Sequence, residues 1–349
     1  MKFGALLILL LASGAFSQSG RVKPAETPTP RPGTSPTIIY IPTQTSNKTP
    51  KAPTPAPIPD EGEVVRVAST LVPIPVSVVD SYGRAVTNLT LSDFELRVDG
   101  KVVEISELSR SESPIRLAML FDNSSSVTIA REFEKDAAVK FFRRVIRPEK
   151  DLAALFSVAT TTELEQPFTS DVFALTRAIE LFPTPEGATA LLEGVVQAAG
   201  YLREVSGRRV VVIVSDGDDT KSDVSFDETM RSLQIANCQV YVVKTTDFEN
   251  YKRTGSRRGN ANLRALTAER RMGEMTRQTG GSVHSPVDER ELDDAFRQIS
   301  AELAQQYILS YYPEEESDKR GQFREISLTL KNRPNVTVRT RKGYYVPKK

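Results

Sequence analysis

The sequence predicts an α/β protein: a doubly wound, mostly parallel, Rossmann-like sheet joined to a small β-sandwich built from the N- and C-terminal flanks. Three observations carry this reading. Across residues 114–306, short apolar runs alternate with amphipathic stretches of helical period, the pattern of parallel strands covered on both faces. On either side of that stretch, apolar residues recur with period two instead. Neither flank is long enough to enclose a core alone, so strands from both ends are expected to pack together with the α/β body inserted between them.

In chain order, Lys2, an apolar core over residues 3–12 and the small-x-small Ala15-Phe16-Ser17 have the form of an export signal, assigned to residues 1–17. The core is too short for a good membrane span, and no cysteine follows it to carry a lipid. The expected location is therefore periplasmic, cell-envelope or extracellular, with no stable membrane span after cleavage; an uncleaved N-terminal anchor is the rival. Residues 18–60 are dominated by Pro, Thr and Ser, as in Thr27-Pro28-Thr29-Pro30, and read as a disordered linker or, alternatively, a recognition segment.

Residues 61–113 are assigned to the first part of the sandwich. Val72, Ile74, Val76 and Val78 share one face, and Pro73 and Pro75, which cannot donate to a ladder, suggest an edge strand. Asp80-Ser81-Tyr82-Gly83 is a turn, Phe94, Leu96 and Val98 alternate, and Asp99-Gly100 is a hairpin signal before Lys101-Val102-Val103. Residues 307–349 supply the remaining strands through Ile326, Leu328 and Leu330, then Val336 and Val338.

Within the body, the run from Ile115 to Phe121 is a buried strand, and Phe133, Ala137, Phe141 and Val145 recur at i+4 as the core stripe of a first helix. Strands are expected at 152–158, at 163–168 (an antiparallel edge), at 209–215 (central) and at Val240. Helices are expected at 172–181, 191–202 and 226–236, and a last long one carries Leu292, Phe296, Ile299 and Leu303. The basic stretch 252–271 reads as a solvated, loop-like insertion, since no aromatic residue interleaves with its charges after Tyr251.

Lys and Arg (46) nearly cancel Asp and Glu (45), so no strong overall field draws the chain to nucleic acid, and none is expected as a partner. Cys238 is the only cysteine, which rules out an intrachain disulfide and reads as a small buried apolar residue.

The chemistry concentrates where strands end. Asp122-Asn123-Ser124-Ser125-Ser126 follows the first buried strand, Thr189 follows Gly187-Ala188 at the head of a helix, and Asp216 closes the central strand before Gly217. Ligands of open α/β sheets bind beyond the carboxyl ends of strands. Hard oxygen donors gathered there suit a hard divalent cation.

Asp122, Ser124, Ser126, Thr189 and Asp216 in this order resemble the metal-ion-dependent adhesion site, D-x-S-x-S…T…D, of the von Willebrand factor A (VWA) family. The resemblance covers residues 114–306, a little over half of the chain. The flanks, ending on Lys342-Gly343-Tyr344-Tyr345, resemble those of a bacterial secreted VWA-related subfamily. The motif resemblance implies a Mg²⁺ ion, with Mn²⁺ or Ca²⁺ as alternatives, held by the three hydroxyls while the aspartates orient ligands, often through water. Neutral hydroxyls leave the cation much of its charge, so an open coordination position would accept a Glu or Asp carboxylate from a partner protein. Asn123 and Ser125, the variable motif positions, stand with Gly187 and Asp218 where that partner would be met.

Two other readings compete. Asp122 and Ser124 would also cap the following helix, which suits a metal-independent assembly module of the cell envelope. A hydrolase would use the same cation as a Lewis acid. No enzyme is expected: His284 is the only histidine, its place is the far edge of the sheet, and neither Gly-x-Ser-x-Gly nor a phosphate-binding Walker loop occurs.

Overall fold

The computed structural model describes residues 71–347 except 111, 130, 258–261, 314–318 and 332, so the expected export signal and Pro/Thr-rich segment lie outside the described residues. The first flank supplies β1 (Val72–Asp80), β2 (Phe94–Val98), β3 (Lys101–Val103) and β4 (Glu107–Arg110). The body runs β5 (Ile115–Asp122), α1 (Arg131–Val145), β6 (Leu152–Val158), β7 (Thr162–Thr169), α2 (Val172–Glu180), α3 (Leu191–Arg203) and β8 (Arg208–Ser215). It continues with α4 (Phe226–Ile235), β9 (Cys238–Lys244), α5 (Thr246–Thr254), α6 (Leu263–Thr279), β10 (Val283–His284) and α7 (Glu289–Gln305). The second flank adds β11 (Tyr307–Tyr311), β12 (Phe323–Leu330), β13 (Val336–Thr340) and β14 (Gly343–Tyr345).

The body is a six-stranded sheet in the order β10-β9-β8-β5-β6-β7, parallel except for β7 at one edge. Its central strands are apolar on both faces because helices cover both. Leu117, Met119 and Phe121 of β5 face α1, α2 and α7, whereas Ala118 and Leu120 face α3, α4 and α6. The flanks form two four-stranded antiparallel sheets, β13-β1-β11-β4 and β14-β12-β2-β3, over a third core that includes Val76, Leu96, Leu309 and Ile326. The expected α/β class with an accessory sandwich is thus the observed one.

Three expectations need correction. β1 is interior, lying between β13 and β11, and not an edge. Its two neighbours, however, overlap only at Val76: β11 pairs with residues 72–76 and β13 with 76–80. Where the prolines sit, no β13 ladder asks for the N–H they lack. Arg341 Nη2 and Thr340 Oγ1 donate instead to the carbonyls of Pro73 (2.9 Å) and Pro75 (2.8 Å). Second, the basic stretch is largely helical, falling in α5 and α6. The Asn262 side chain caps α6 by accepting from Ala265 N–H, and Gly255 ends α5 in the left-handed conformation. Third, Phe133 is half-exposed and lies under the Lys252 ammonium (3.9 Å to the ring centre), while Ala138 and Phe142 join the α1 core stripe.

Among the described residues no helix is long and apolar enough to cross a membrane.

Candidate metal centre

β5 and β8 are parallel neighbours with Phe121 opposite Val214, so Asp122 and the residues after Val214 emerge side by side at the carboxyl edge. Asp122 is buried, and both its oxygens are engaged: Oδ1 accepts from Ser124 N–H (2.9 Å) and Oδ2 from the Ser215 hydroxyl (2.5 Å). The first bond turns the chain sharply enough to bring Ser124 Oγ and Ser126 Oγ within 2.9 Å of each other.

A second loop docks on this one. Ser125 donates to the Gly187 carbonyl from both its N–H (3.3 Å) and its hydroxyl (3.0 Å), and Glu186 N–H donates to the Asn123 carbonyl (3.0 Å). Gly187 holds φ at +75°, and a Cβ there would meet Thr160 Oγ1 at 2.5 Å, so the approach needs glycine. Thr189, two residues on and buried, bridges to the third loop: its carbonyl accepts from Thr220 N–H (2.9 Å) and Lys221 N–H (3.0 Å), and its N–H donates to Thr220 Oγ1 (3.1 Å). That third loop begins with Asp216, whose Oδ1 accepts from Asp218 N–H (2.9 Å). The structure therefore brings the Asp122, Thr189 and Asp216 loops to one place.

The electrostatics are those of an unbalanced site. Burial pushes the Asp122 carboxyl up to about 6, and the neighbouring Asp216 adds to the shift against the hydrogen bonds from Ser215 and Ser124. Behind it, the buried Glu134 of α1 lies well above the ordinary carboxylate range, through burial first and then repulsion from Glu249, Asp122 and Asp216. Its Oε1 has no hydrogen-bond partner among the described residues. A cation at the strand ends would relieve this repulsion directly.

The donor chemistry fits a magnesium ion. Among the described residues no three His, Cys, Asp or Glu side chains gather as a metal site, and the oxygens that meet at the strand ends include the Ser124 and Ser126 hydroxyls, 2.9 Å apart. Ser124, Ser126 and Thr189 would hold it, with Asp122 and Asp216 acting from behind through water. Supplying an electrophilic centre with one position left for an anion is the chemistry the cation would add.

The four residues expected to meet a partner divide. Ser125 and Gly187 are exposed. Asp218 is partly exposed and pairs with Arg264 (3.3 Å). Asn123 is buried, with its Oδ1 taken by Arg131, so it braces the loop and offers a partner little surface. Arg131 also donates to the Pro183 carbonyl (2.6 Å), joining α1 to the loop before Gly187. Sequence reasoning missed Arg131, Glu134, Ser215 and Thr220. Only Ser215 left a trace, as the single hydroxyl ending an otherwise aliphatic strand. His284 lies on the edge strand β10 against Ser282 Oγ (3.0 Å), and burial lowers it to about 4.

No family model and no curated protein matches the chain. Solved structures of similar fold include a von Willebrand factor type A protein from Catenulispora acidiphila, at 11% identity over 81% of this chain and 76% of that one, with a TM-score of 0.46. Another is the BatB protein of Bacteroides thetaiotaomicron, at 15% identity over 53% of this chain and 97% of that one, with a TM-score of 0.41. A third is the PilB minor pilin of Streptococcus sanguinis, at 12% identity over 55% of this chain, with a TM-score of 0.42; this chain spans 62% of that pilin. Likenesses this distant concern the fold alone and lend no weight to a function.

Proposed function

We propose that this protein is an exported binding module that captures an acidic side chain of a partner protein on a divalent cation, Mg²⁺ in the first instance. Asp122, Ser124, Ser126, Thr189 and Asp216 would form the site. The observation that carries the reading is the meeting of the Ser124 and Ser126 hydroxyls at 2.9 Å beside a carboxylate whose two oxygens are already engaged by Ser124 N–H and Ser215. That geometry favours hydroxyl ligation with Asp122 in the outer sphere, which leaves the ion electrophilic. The helix-capping alternative is weakened because Asp122 Oδ1 is spent inside its own loop, well before α1 begins at Arg131.

Calorimetric titration tests this. One Mg²⁺ per chain is expected for the wild type, with binding to Asp122→Ala weaker by about a hundredfold or more. Equal binding by both, or binding by neither, would defeat the adhesion reading in favour of a metal-independent assembly module. Metal-dependent ester or phosphate turnover that vanishes in Asp216→Ala would favour the hydrolase.

A further inference from the structure

Behind the strand-end loops, α1 and α5 meet and bury two carboxylates. Phe133 of α1 packs edge-on against Phe248 of α5, with ring centres 6.0 Å apart. The next residue on each helix is acidic and buried: Glu134 is 1% exposed and Glu249 4%. Thr245, wholly buried at the head of α5, completes the group. Its N–H donates to the Ser215 carbonyl (3.0 Å) and its own carbonyl accepts from Glu249 N–H (2.9 Å), so its position is fixed from both sides. The Thr245 hydroxyl lies near enough to Glu134 to hold that carboxyl down, and Glu249 near enough to push it up.

Two oxygens of this group, Glu134 Oε1 and Thr245 Oγ1, have no hydrogen-bond partner among the described residues. A buried oxygen without a partner is costly, and a buried carboxylate without a counter-charge is more so. The basic side chains adjoining these turns are committed elsewhere. Arg131 attracts Glu134, but its Nη1 and Nη2 donate to Asn123 Oδ1 and the Pro183 carbonyl. Lys135 pairs with Glu132 (3.2 Å), and Lys252 lies over the Phe133 ring and pairs with Glu289.

We propose that Glu134, Glu249 and Thr245 form a second cation site, separate from the strand-end centre, that takes Ca²⁺ and ties α1 to α5. Two carboxylates match a divalent charge and can offer four oxygens, with the threonine hydroxyl as a fifth; all are hard donors. Ca²⁺ accepts roughly six to eight oxygens in adaptable geometry, whereas Mg²⁺ demands a near-ideal octahedron and gives up its waters reluctantly. Burial this complete leaves little space for a retained hydration shell, which selects Ca²⁺. Asp122 and Asp216 add to the negative potential at Glu134 and so to the pull on a cation. The site shares no residue with the strand-end centre and does not depend on the function proposed above.

The test is Ca²⁺ uptake by the full chain in equilibrium dialysis at saturating Mg²⁺, which keeps Ca²⁺ out of the strand-end centre. One Ca²⁺ per chain is expected. Glu134→Gln and Thr245→Val, each close to isosteric, should weaken it about tenfold or more, while Asp122→Ala should still take it up. Ca²⁺ should also raise the Tm of the wild type and leave that of Glu134→Gln unmoved. No uptake would overturn the site in favour of a proton shared by the two carboxylates, and equal uptake by Glu134→Gln and Thr245→Val would overturn it as well. Uptake lost in Asp122→Ala but kept in Glu134→Gln would place the ion at the strand ends and end the proposal. A chain that binds no Mg²⁺ yet takes up Ca²⁺ through Glu134 would support this site while sinking the adhesion reading. If circular dichroism shows Glu134→Gln unfolded, Thr245→Val decides alone.

Discussion

Two clusters of buried polar side chains in this molecule differ in kind. At the seam between the α/β body and the β1–β11–β13 sheet, many donors meet acceptors, although Arg208 Nε, Glu302 Oε2 and Arg339 Nε have no hydrogen-bond partner among the described residues. Gln306, just after α7, accepts from Arg208 Nη1 (2.6 Å) and its amide reaches Ser77 Oγ (2.9 Å) and Gln239 Oε1 (2.9 Å). Arg208 also donates to the Leu303 carbonyl (2.7 Å), and Arg339 pairs with Glu302. At the strand-end rim, burial and then repulsion from Asp216 raise Asp122, and burial and then repulsion from Glu249, Asp122 and Asp216 raise Glu134. A network held mostly by donors and acceptors within the chain fixes shape, whereas carboxylates crowded together at strand ends are poised for a cation from outside.

The largest effect that would sharpen this contrast is on stability against pH. Because the Asp122 carboxyl is raised from 3.8 to about 6 in the folded state, its contribution is whole below 3.8 and is lost as pH rises through about 6. The loss is about 3 kcal/mol in metal-free protein. Chemical denaturation from about pH 4 to about pH 7 should show stability falling, and saturating Mg²⁺ should flatten the slope, since a bound cation favours the ionised carboxylates. Glu302 at the seam is also raised by burial, so only the Mg²⁺-sensitive part of the slope belongs to the rim. A slope indifferent to Mg²⁺ would erase the distinction between the two regions.

Next in size, Asp122→Ala should weaken Mg²⁺ binding about a hundredfold or more while leaving the metal-free protein at pH 7 as stable as the wild type or more so, because it removes a buried charge. Gln306→Ala should do the reverse. It strands an Arg208 N–H and the groups around it, costing about 2–3 kcal/mol of stability in denaturant titration with no change in Mg²⁺ affinity. The smallest effect is expected of Ser215→Ala, which removes the bond to Asp122 and strands the Gly217 N–H; it should weaken Mg²⁺ about tenfold and cost about 1 kcal/mol of stability. If Ser215→Ala instead unfolded the chain, the rim would be a structural network like the seam.

Much of this was legible in the residues. The aliphatic run Val210–Val214 and the i+4 spacing of Ala137, Phe141 and Val145 report burial directly, because period and hydrophobicity are local properties. Asp122 and Asp216 could be placed at strand ends for the same reason, and Thr189 at the head of a helix. What stayed hidden depends on partners remote in sequence. Pro73 and Pro75 looked like edge residues because their substitutes for a ladder, Thr340 and Arg341, lie at the other end of the chain. Asn123 looked available to a partner because nothing local shows that Arg131 turns it inward. Glu134 is one of several charges of both signs on α1, and its burial follows from the packing of that helix on the body. The α6 helix was masked by its charge, since its stabilising features are the Asn262 cap and a sparse apolar stripe of Ala268, Met272 and Met275.

The central claim is tested most directly by crystals grown in Mn²⁺ and measured for anomalous scattering. The account predicts one strong peak within about 2.2 Å of the hydroxyl oxygens of Ser124, Ser126 and Thr189, with Asp122 and Asp216 reaching it through water. A map with no peak there, or an ion held directly by Asp122 and Asp216 with the Thr189 hydroxyl out of reach, would contradict it.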